Sequence, residues 1–174
     1  MFRDISGLIA FSFEYQPYLR QITGMHYHSE TRVLPYSPEQ LFGIVVDIEQ
    51  YPQFLPWCRA ARIISREGSQ FLGELVISFS HITERYTSRI IPQAPTATTE
   101  GTIRVELVNG PFKHLSNQWR FVPHVDGTEL HFAIDFEFKS KLLNTLIGGL
   151  FTRAGEKMVA AFLTRAEALY GTKP

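Results

Sequence analysis

Apolar and polar residues alternate with a period of two through most of the centre of the chain, from about residue 59 to 138. In the clearest stretch, the apolar positions that alternate with mainly polar ones are Leu130, Phe132, Ile134, Phe136 and Phe138. This pattern predicts antiparallel strands with one buried and one solvated face. We predict strands near 26–34, 59–66, 70–80, 82–91, 98–108, 116–123 and 129–139, with turns at Glu67-Gly68, Pro92, Pro95, Asn109-Gly110-Pro111 and Asp126-Gly127.

Between the first two strands the pattern predicts two short helices. Ser37 can cap the first helix, Pro38 suits its first position, and Gln40 completes a capping-box pattern. Asp47 is expected to cap the second helix, which Pro52 keeps short because proline interrupts helical hydrogen bonding.

After the last strand the period changes to that of a helix, from about residue 141 to 170. The apolar positions recur at steps of three and four, at Leu143, Ile147, Leu150, Phe151, Ala154, Met158, Phe162 and Ala166. Gly171 suits the C-cap. This helix is the only large element that can cover the apolar face of the sheet. We therefore predict an α+β fold in which a curved antiparallel sheet of about seven strands surrounds one long C-terminal helix.

Composition supports one domain without a strong charge. The chain has 174 residues, and its 17 Lys and Arg balance its 17 Asp and Glu, which argues against a DNA-binding role. With 14 Phe the aromatic content is high, as in proteins whose pockets bind apolar ligands. Cys58 is the only cysteine, which fits a reducing compartment, and we expect a cytoplasmic location.

Residues 1–24 lack the regular pattern of the rest, and we interpret them as an N-terminal extension outside the fold. A leader or functional arm is the alternative. Residues 25–174 are predicted to form the domain. The pair His26-x-His28 is interpreted as a surface pair, because no third metal ligand stands nearby.

Four segments carry a resemblance to a known family: DIEQYPQFLPWC at 47–58, VNGPFKHLSNQWRF at 108–121, FAIDFEFKSKLL at 132–143, and AAFLTRAEALYG at 160–171. Together they resemble the coenzyme Q-binding branch of the START-like, or polyketide cyclase-like, superfamily. The resemblance covers roughly residues 25–171. It implies a helix-grip fold, related to START and Bet v 1 proteins, with a hydrophobic tunnel.

The resemblance also implies the ligand. Ubiquinone or a similar polyisoprenoid lipid would be carried as a bound ligand, not as a catalytic cofactor, in support of respiration and quinone biosynthesis. Transient contact with the inner membrane would follow, on the matrix side in a eukaryote. We expect the ligand to contact Phe54, Leu55, Trp57, Ile77, Phe79, Phe112, Leu115, Trp119, Phe121, Phe132, Ile134, Phe136, Phe151, Met158 and Phe162.

A quinone head group needs hydrogen-bond donors. Tyr86, Arg89, Gln118 and Arg120 are available by residue type, although strand parity places Gln118 and Arg120 opposite Trp119. Periodicity alone fits a solid core as well as a lined tunnel.

Two alternatives remain open. A sister branch, the bacterial ribosome-association toxins, shares much of the pattern and would bind the large ribosomal subunit. The Trp57-Cys58 pair favours the quinone branch, since glycine is frequent at the position of Trp57 in the toxins. The second alternative is a polyketide cyclase or aromatase. The sequence contains no G-x-S-x-G, HExxH or glycine-rich phosphate loop, so we expect no catalytic set and no enzyme.

Overall fold

The computed structural model describes residues 25–79 and 81–171, and within the last helix it leaves the side chains of 148–156 undescribed. The predicted extension at 1–24 and the side chain of Phe151 lie outside this description. In chain order the elements are β1 (His26–Leu34), α1 (Pro38–Val46), a 3-10 turn (Ile48–Gln50), α2 (Tyr51–Phe54), β2 (Cys58–Glu67), β3 (Gln70–Phe79), β4 (Ile82–Gln93), β5 (Gly101–Asn109), β6 (Phe112–His124), β7 (Gly127–Phe138) and α3 (Lys141–Tyr170).

The strands form one antiparallel sheet of seven in the order β1-β7-β6-β5-β4-β3-β2. The predicted α+β helix-grip architecture is therefore confirmed. Residues opposite each other in an antiparallel pair share a face. Trp119 of β6 lies opposite Phe132 of β7, and Ile103 of β5 lies opposite Trp119, so these large apolar side chains form one inner face.

The capping box at α1 is confirmed. The Ser37 hydroxyl accepts a hydrogen bond from the Gln40 backbone N–H at 3.3 Å, and the Gln40 side-chain oxygen accepts from the Ser37 N–H at 3.0 Å. The predicted cap at Asp47 is present in position only. Asp47 lies between the end of α1 and the 3-10 turn, but its side chain makes no capping hydrogen bond.

The predicted turn at Pro92 is wrong, since β4 continues through it to Gln93. Pro92 pairs with Ile103 of β5, whereas pairing with β3 ends two residues earlier, at Ile90 opposite Phe71. Beyond that point β4 has a strand on one side only. A proline can occupy such a position because its missing N–H removes no hydrogen bond from a second neighbour.

Helix α3 lies across the inner face of the sheet. Its side chains Val159 and Ala166 are fully buried, and the ring of Phe162 lies 5.0 Å from Trp119 in an edge-on arrangement. The C-terminal end is fixed by Tyr36, whose hydroxyl donates to the carbonyl of Gly171 at 3.0 Å. Among the described residues no helix has both the length and the hydropathy needed to cross a membrane.

The β6–β7 turn packs against the β1–α1 connection, and this predicts opposite effects for two glycine-to-alanine variants. A Cβ on Gly127, which has φ of 127°, would lie 2.2 Å from the carbonyl oxygen of Leu34. We expect Gly127→Ala to lower the free energy of unfolding by about 1–3 kcal/mol. Gly43, inside α1, has open space at the Cβ position. Gly43→Ala should therefore raise the free energy of unfolding by about 0.5–1 kcal/mol. Urea unfolding followed by circular dichroism measures both, and a destabilised Gly43→Ala with an unaffected Gly127→Ala would contradict this packing.

Candidate functional site

A cavity of about 100 Å³ lies between the inner face of the sheet and helix α3. Eight of the predicted ligand-binding residues line it: Leu55, Trp57, Ile77, Leu115, Trp119, Ile134, Met158 and Phe162. Tyr86, named above as a candidate donor, also lines it. Ten further lining residues were not predicted as ligand contacts: Val45, Ile48, Tyr51, Cys58, Leu75, Ser88, Ile90, Ile103, Val105 and Asn117. The wall is thus supplied by both short helical segments, by strands β2–β7 and by α3.

Other predicted residues lie beside the cavity or in the solid core. The ring of Phe54 lies 5.1 Å from that of Phe162, and Phe79 stacks on Trp57 at 6.3 Å, so both contact lining residues. Phe121 and Phe132 are fully buried in the core instead. Phe112 and Phe136 belong to a second apolar cluster with Phe138 and Ile147, near the start of α3. These aromatic side chains fill much of the space that a long tunnel would require.

The segment from Tyr51 to Cys58 closes one side of the cavity. The Tyr51 hydroxyl donates to the Val45 carbonyl at 2.5 Å, and the carbonyl of Trp57 accepts from the Ser78 N–H at 2.8 Å. These bonds tie the segment to α1 and to the end of β3. Leu55 is buried beneath it, whereas Pro52, Gln53 and Pro56 are exposed, so this segment presents one apolar and one solvated side.

Most of the polar groups on the cavity wall already have partners. Tyr51 donates to the Val45 carbonyl, and the Cys58 thiol lies 3.5 Å from the Ala60 carbonyl. The Asn117 side-chain oxygen accepts from the Trp119 indole N–H at 2.7 Å. Ser88 differs, because its Oγ is buried without a hydrogen-bond partner in the part of the chain that the structure describes.

Burial keeps the ionisable groups of the wall neutral. Desolvation raises the pKa of the Tyr86 hydroxyl well above its usual value, and the nearby Cys58 adds to the effect. Desolvation likewise raises the pKa of Tyr51, with smaller contributions from Tyr86, Cys58 and Asp47. None of the lining residues in the described ranges is Asp, Glu, His, Lys or Arg. The wall therefore supplies hydrogen bonds and apolar surface, and no group that would exchange a proton near pH 7.

Of the four donors proposed by residue type, only Tyr86 lies on the cavity wall. Arg89, Gln118 and Arg120 have the opposite strand parity and lie on the outer face, where Arg120 pairs with Glu100 at 2.7 Å. Ser88 could have been found from the sequence, since it is two residues from Tyr86 in the same strand and shares its face.

The pair His26 and His28 does not lie on the surface as predicted. Each lies opposite an inner-face residue of β7, Phe136 and Ile134 respectively, so both side chains point towards α3. His26 Nε2 lies 3.0 Å from the Asn144 carbonyl oxygen, and His28 Nε2 lies 3.6 Å from a Glu30 carboxylate oxygen. Among the described residues no three His, Cys, Asp or Glu side chains lie together as a metal site would require.

Comparison with known proteins supports the predicted resemblance. A sequence profile described as "Polyketide cyclase / dehydrase and lipid transport" matches residues 34–163. The ribosome association toxin RatA of Rickettsia prowazekii is 48% identical over 139 residues, which cover 79% of this chain and 93% of the toxin. The coenzyme Q-binding protein COQ10 homolog B of Xenopus laevis is 35% identical over 152 residues, which cover 83% of this chain and 59% of that protein.

A solved structure shares the fold as well. The solution structure of the 18 kDa protein CC1736 from Caulobacter crescentus has 38% sequence identity and a TM-score of 0.66, over 84% of this chain and 99% of that one. Among the relatives, identity is higher to the toxin than to the coenzyme Q-binding protein. Overall identity therefore does not favour the quinone branch that Trp57 predicts.

The burial of Cys58 in the cavity wall predicts that its thiol reacts slowly. Burial raises the pKa of its thiol to about 11, and a backbone hydrogen bond at Ala60 only partly offsets this. At pH 8 on the order of one thiol in a thousand is then ionised. We expect alkylation by iodoacetamide to be slow in the native protein and to rise about tenfold per pH unit up to pH 10. The denatured protein is the control, and a native rate that levels off near pH 8.5 would contradict the assignment.

Proposed function

The chain belongs to the polyketide cyclase/dehydrase and lipid-transport family of the START-like superfamily, and from this premise we propose that it is a non-enzymatic carrier of ubiquinone or a similar isoprenoid lipid. The observation that carries the proposal is the cavity, whose walls are almost entirely apolar and aromatic. Burial of a polyprenyl tail on such walls is favourable by about 0.8 kcal/mol for each CH₂ group. The name of the Xenopus laevis relative supports the same ligand class.

The size of the cavity sets a condition on binding. Pockets for drug-sized molecules usually measure about 300–1,000 Å³, whereas this cavity measures about 100 Å³. A quinone with even a short tail therefore requires the cavity to enlarge. The segment from Tyr51 to Cys58 has a solvated outer side, so its outward movement would enlarge the cavity once the bonds from Tyr51 to Val45 and from Ser78 to Trp57 open.

The absence of charged groups on the described wall supports binding over the cyclase alternative. Cyclisation of a polyketide requires a group that takes up and releases protons. The tyrosines and the thiol of this wall have raised pKa values and remain protonated at pH 7.

Ubiquinone binding is testable by fluorescence, because both tryptophans of the chain, Trp57 and Trp119, line the cavity. Titration with ubiquinone carrying two isoprene units should quench their emission to saturation. Val105→Phe should weaken binding by about tenfold or more, because the larger side chain occupies the cavity.

The matched control is Val76→Phe, the same substitution on the opposite face of the sheet, which should bind as the unaltered protein does. Organic extraction of the purified full chain, followed by mass spectrometry, provides an independent readout. A protein that contains no lipid and shows no saturable quenching would refute the carrier proposal.

Ribosome association is the second candidate, supported by the 48% identity to the toxin of Rickettsia prowazekii. A shallow groove of about 340 Å³ on the outer face of the sheet, lined in part by Arg104 and Arg120, offers positive charge for RNA phosphates. Apart from Trp119, which also lines the cavity, the residues of this groove lie on the outer face of the sheet.

If this second candidate holds, the protein should co-sediment with large ribosomal subunits in a sucrose gradient at low salt. Arg104→Glu should abolish co-sedimentation, because it places a negative charge in the groove. Lys113→Glu, with the same change of charge near the start of β6, is the control and should still co-sediment. If the two variants co-sediment equally well, the groove is not the ribosome-binding surface. If the unaltered protein does not co-sediment at any salt concentration, ribosome association is excluded.

A further inference from the structure

Ser88 has a buried hydroxyl group that the fold itself does not use. The residue lies on β4, an interior strand between β5 and β3, is 1% exposed and lines the cavity. Its Oγ has no hydrogen-bond partner in the described part of the chain. A buried hydroxyl without a partner destabilises a fold, and the large majority of buried polar groups have one. A serine in this position is therefore better explained by a partner that enters the cavity.

Tyr86 places a second hydroxyl on the same wall. It is two residues from Ser88 along β4, so both side chains point to the inner face. The ring is held edge-on against Phe112, with 5.3 Å between ring centres. The other polar groups of the wall, on Tyr51 and Asn117, already take part in hydrogen bonds with the protein. Ser88 and Tyr86 are thus the hydroxyl donors best placed for a ligand.

We propose that the Ser88 and Tyr86 hydroxyls together recognise a carbonyl oxygen at the buried end of a neutral lipid. The inference rests on the proposed lipid-carrier function and adds a chemical requirement to it. Two hydroxyl donors on the same cavity wall suit an acceptor atom, and the carbonyl of a quinone ring or of an isoprenoid ketone has this chemistry.

The same wall selects against charged lipids. A carboxylate or phosphate in the cavity would lose its hydration, and none of the described lining residues carries a positive charge to replace it. Fatty acids should therefore bind poorly although their tails are apolar.

The test compares four probes on the full chain, with Trp57 and Trp119 emission as the signal: ubiquinone with two isoprene units, geranylacetone, the hydrocarbon farnesane, and oleate. Ser88→Ala and Tyr86→Phe should each weaken binding of the quinone or the ketone about fivefold to tenfold, the effect of one lost hydrogen bond. Farnesane binding should not change. Ser78→Ala removes an outer-face hydroxyl and is the matched control.

Stability without ligand gives a second readout. Because the Ser88 hydroxyl has no partner in the described chain, the urea midpoint of unliganded Ser88→Ala should equal or exceed that of the unaltered protein. A lower midpoint would assign Ser88 a structural role and overturn the inference.

The binding results distinguish failure of the Ser88–Tyr86 recognition pair from failure of the proposed carrier function. If the carbonyl probes bind and both variants leave their affinity unchanged, the recognition pair is refuted and the carrier function stands. If oleate binds as tightly as the quinone, the selection for neutral lipids is refuted. If no probe binds, the carrier function fails and the inference fails with it. Whichever carbonyl probe binds more tightly identifies the source of the oxygen.

Discussion

The structure depends on covering one apolar face of a seven-stranded sheet with a single helix. Strands lie about 4.8 Å apart, so a flat sheet of this size would be roughly 29 Å wide, whereas a helix with its side chains is about 10–12 Å across. The sheet must therefore curl around α3, and α1, the 3-10 turn and α2 cover what the helix leaves open. The cavity lies where these elements meet, so it follows from the same geometry that produces the core.

This geometry also explains why a polar residue is tolerated inside. At Gly73, opposite Ser88, a Cβ atom would lie 2.4 Å from the Ile48 side chain, so the missing side chain lets the 3-10 turn pack directly on β3. Ile48 and Ile90 surround the position with apolar atoms. The Ser88 hydroxyl is thereby isolated from the protein's own acceptors, and its unmet hydrogen bond becomes available to a ligand.

The sequence predicted features governed by local chemistry and missed those set by strand pairing. The capping box at Ser37 and the alternation around Phe132 depend on near neighbours, and both were predicted correctly. Pro92 was misassigned because its position depends on where β3 ends. Strand parity places Ser88 on the face of Tyr86, but only the structure shows that its hydroxyl is buried and has no partner in the described chain.

The two proposed functions use opposite faces of the same strands. In β6, Trp119 points to the cavity while its neighbours Gln118 and Arg120 border the outer groove, because successive side chains of a strand alternate. Lipid carriage and ribosome association would therefore depend on different, alternating positions of a strand. Substitutions in a relative can then remove one role and leave the other. The fold is therefore compatible with relatives that are named for such different partners. Under the two proposals, the inner-face donors and the outer-face cations, and not overall identity, distinguish the two roles.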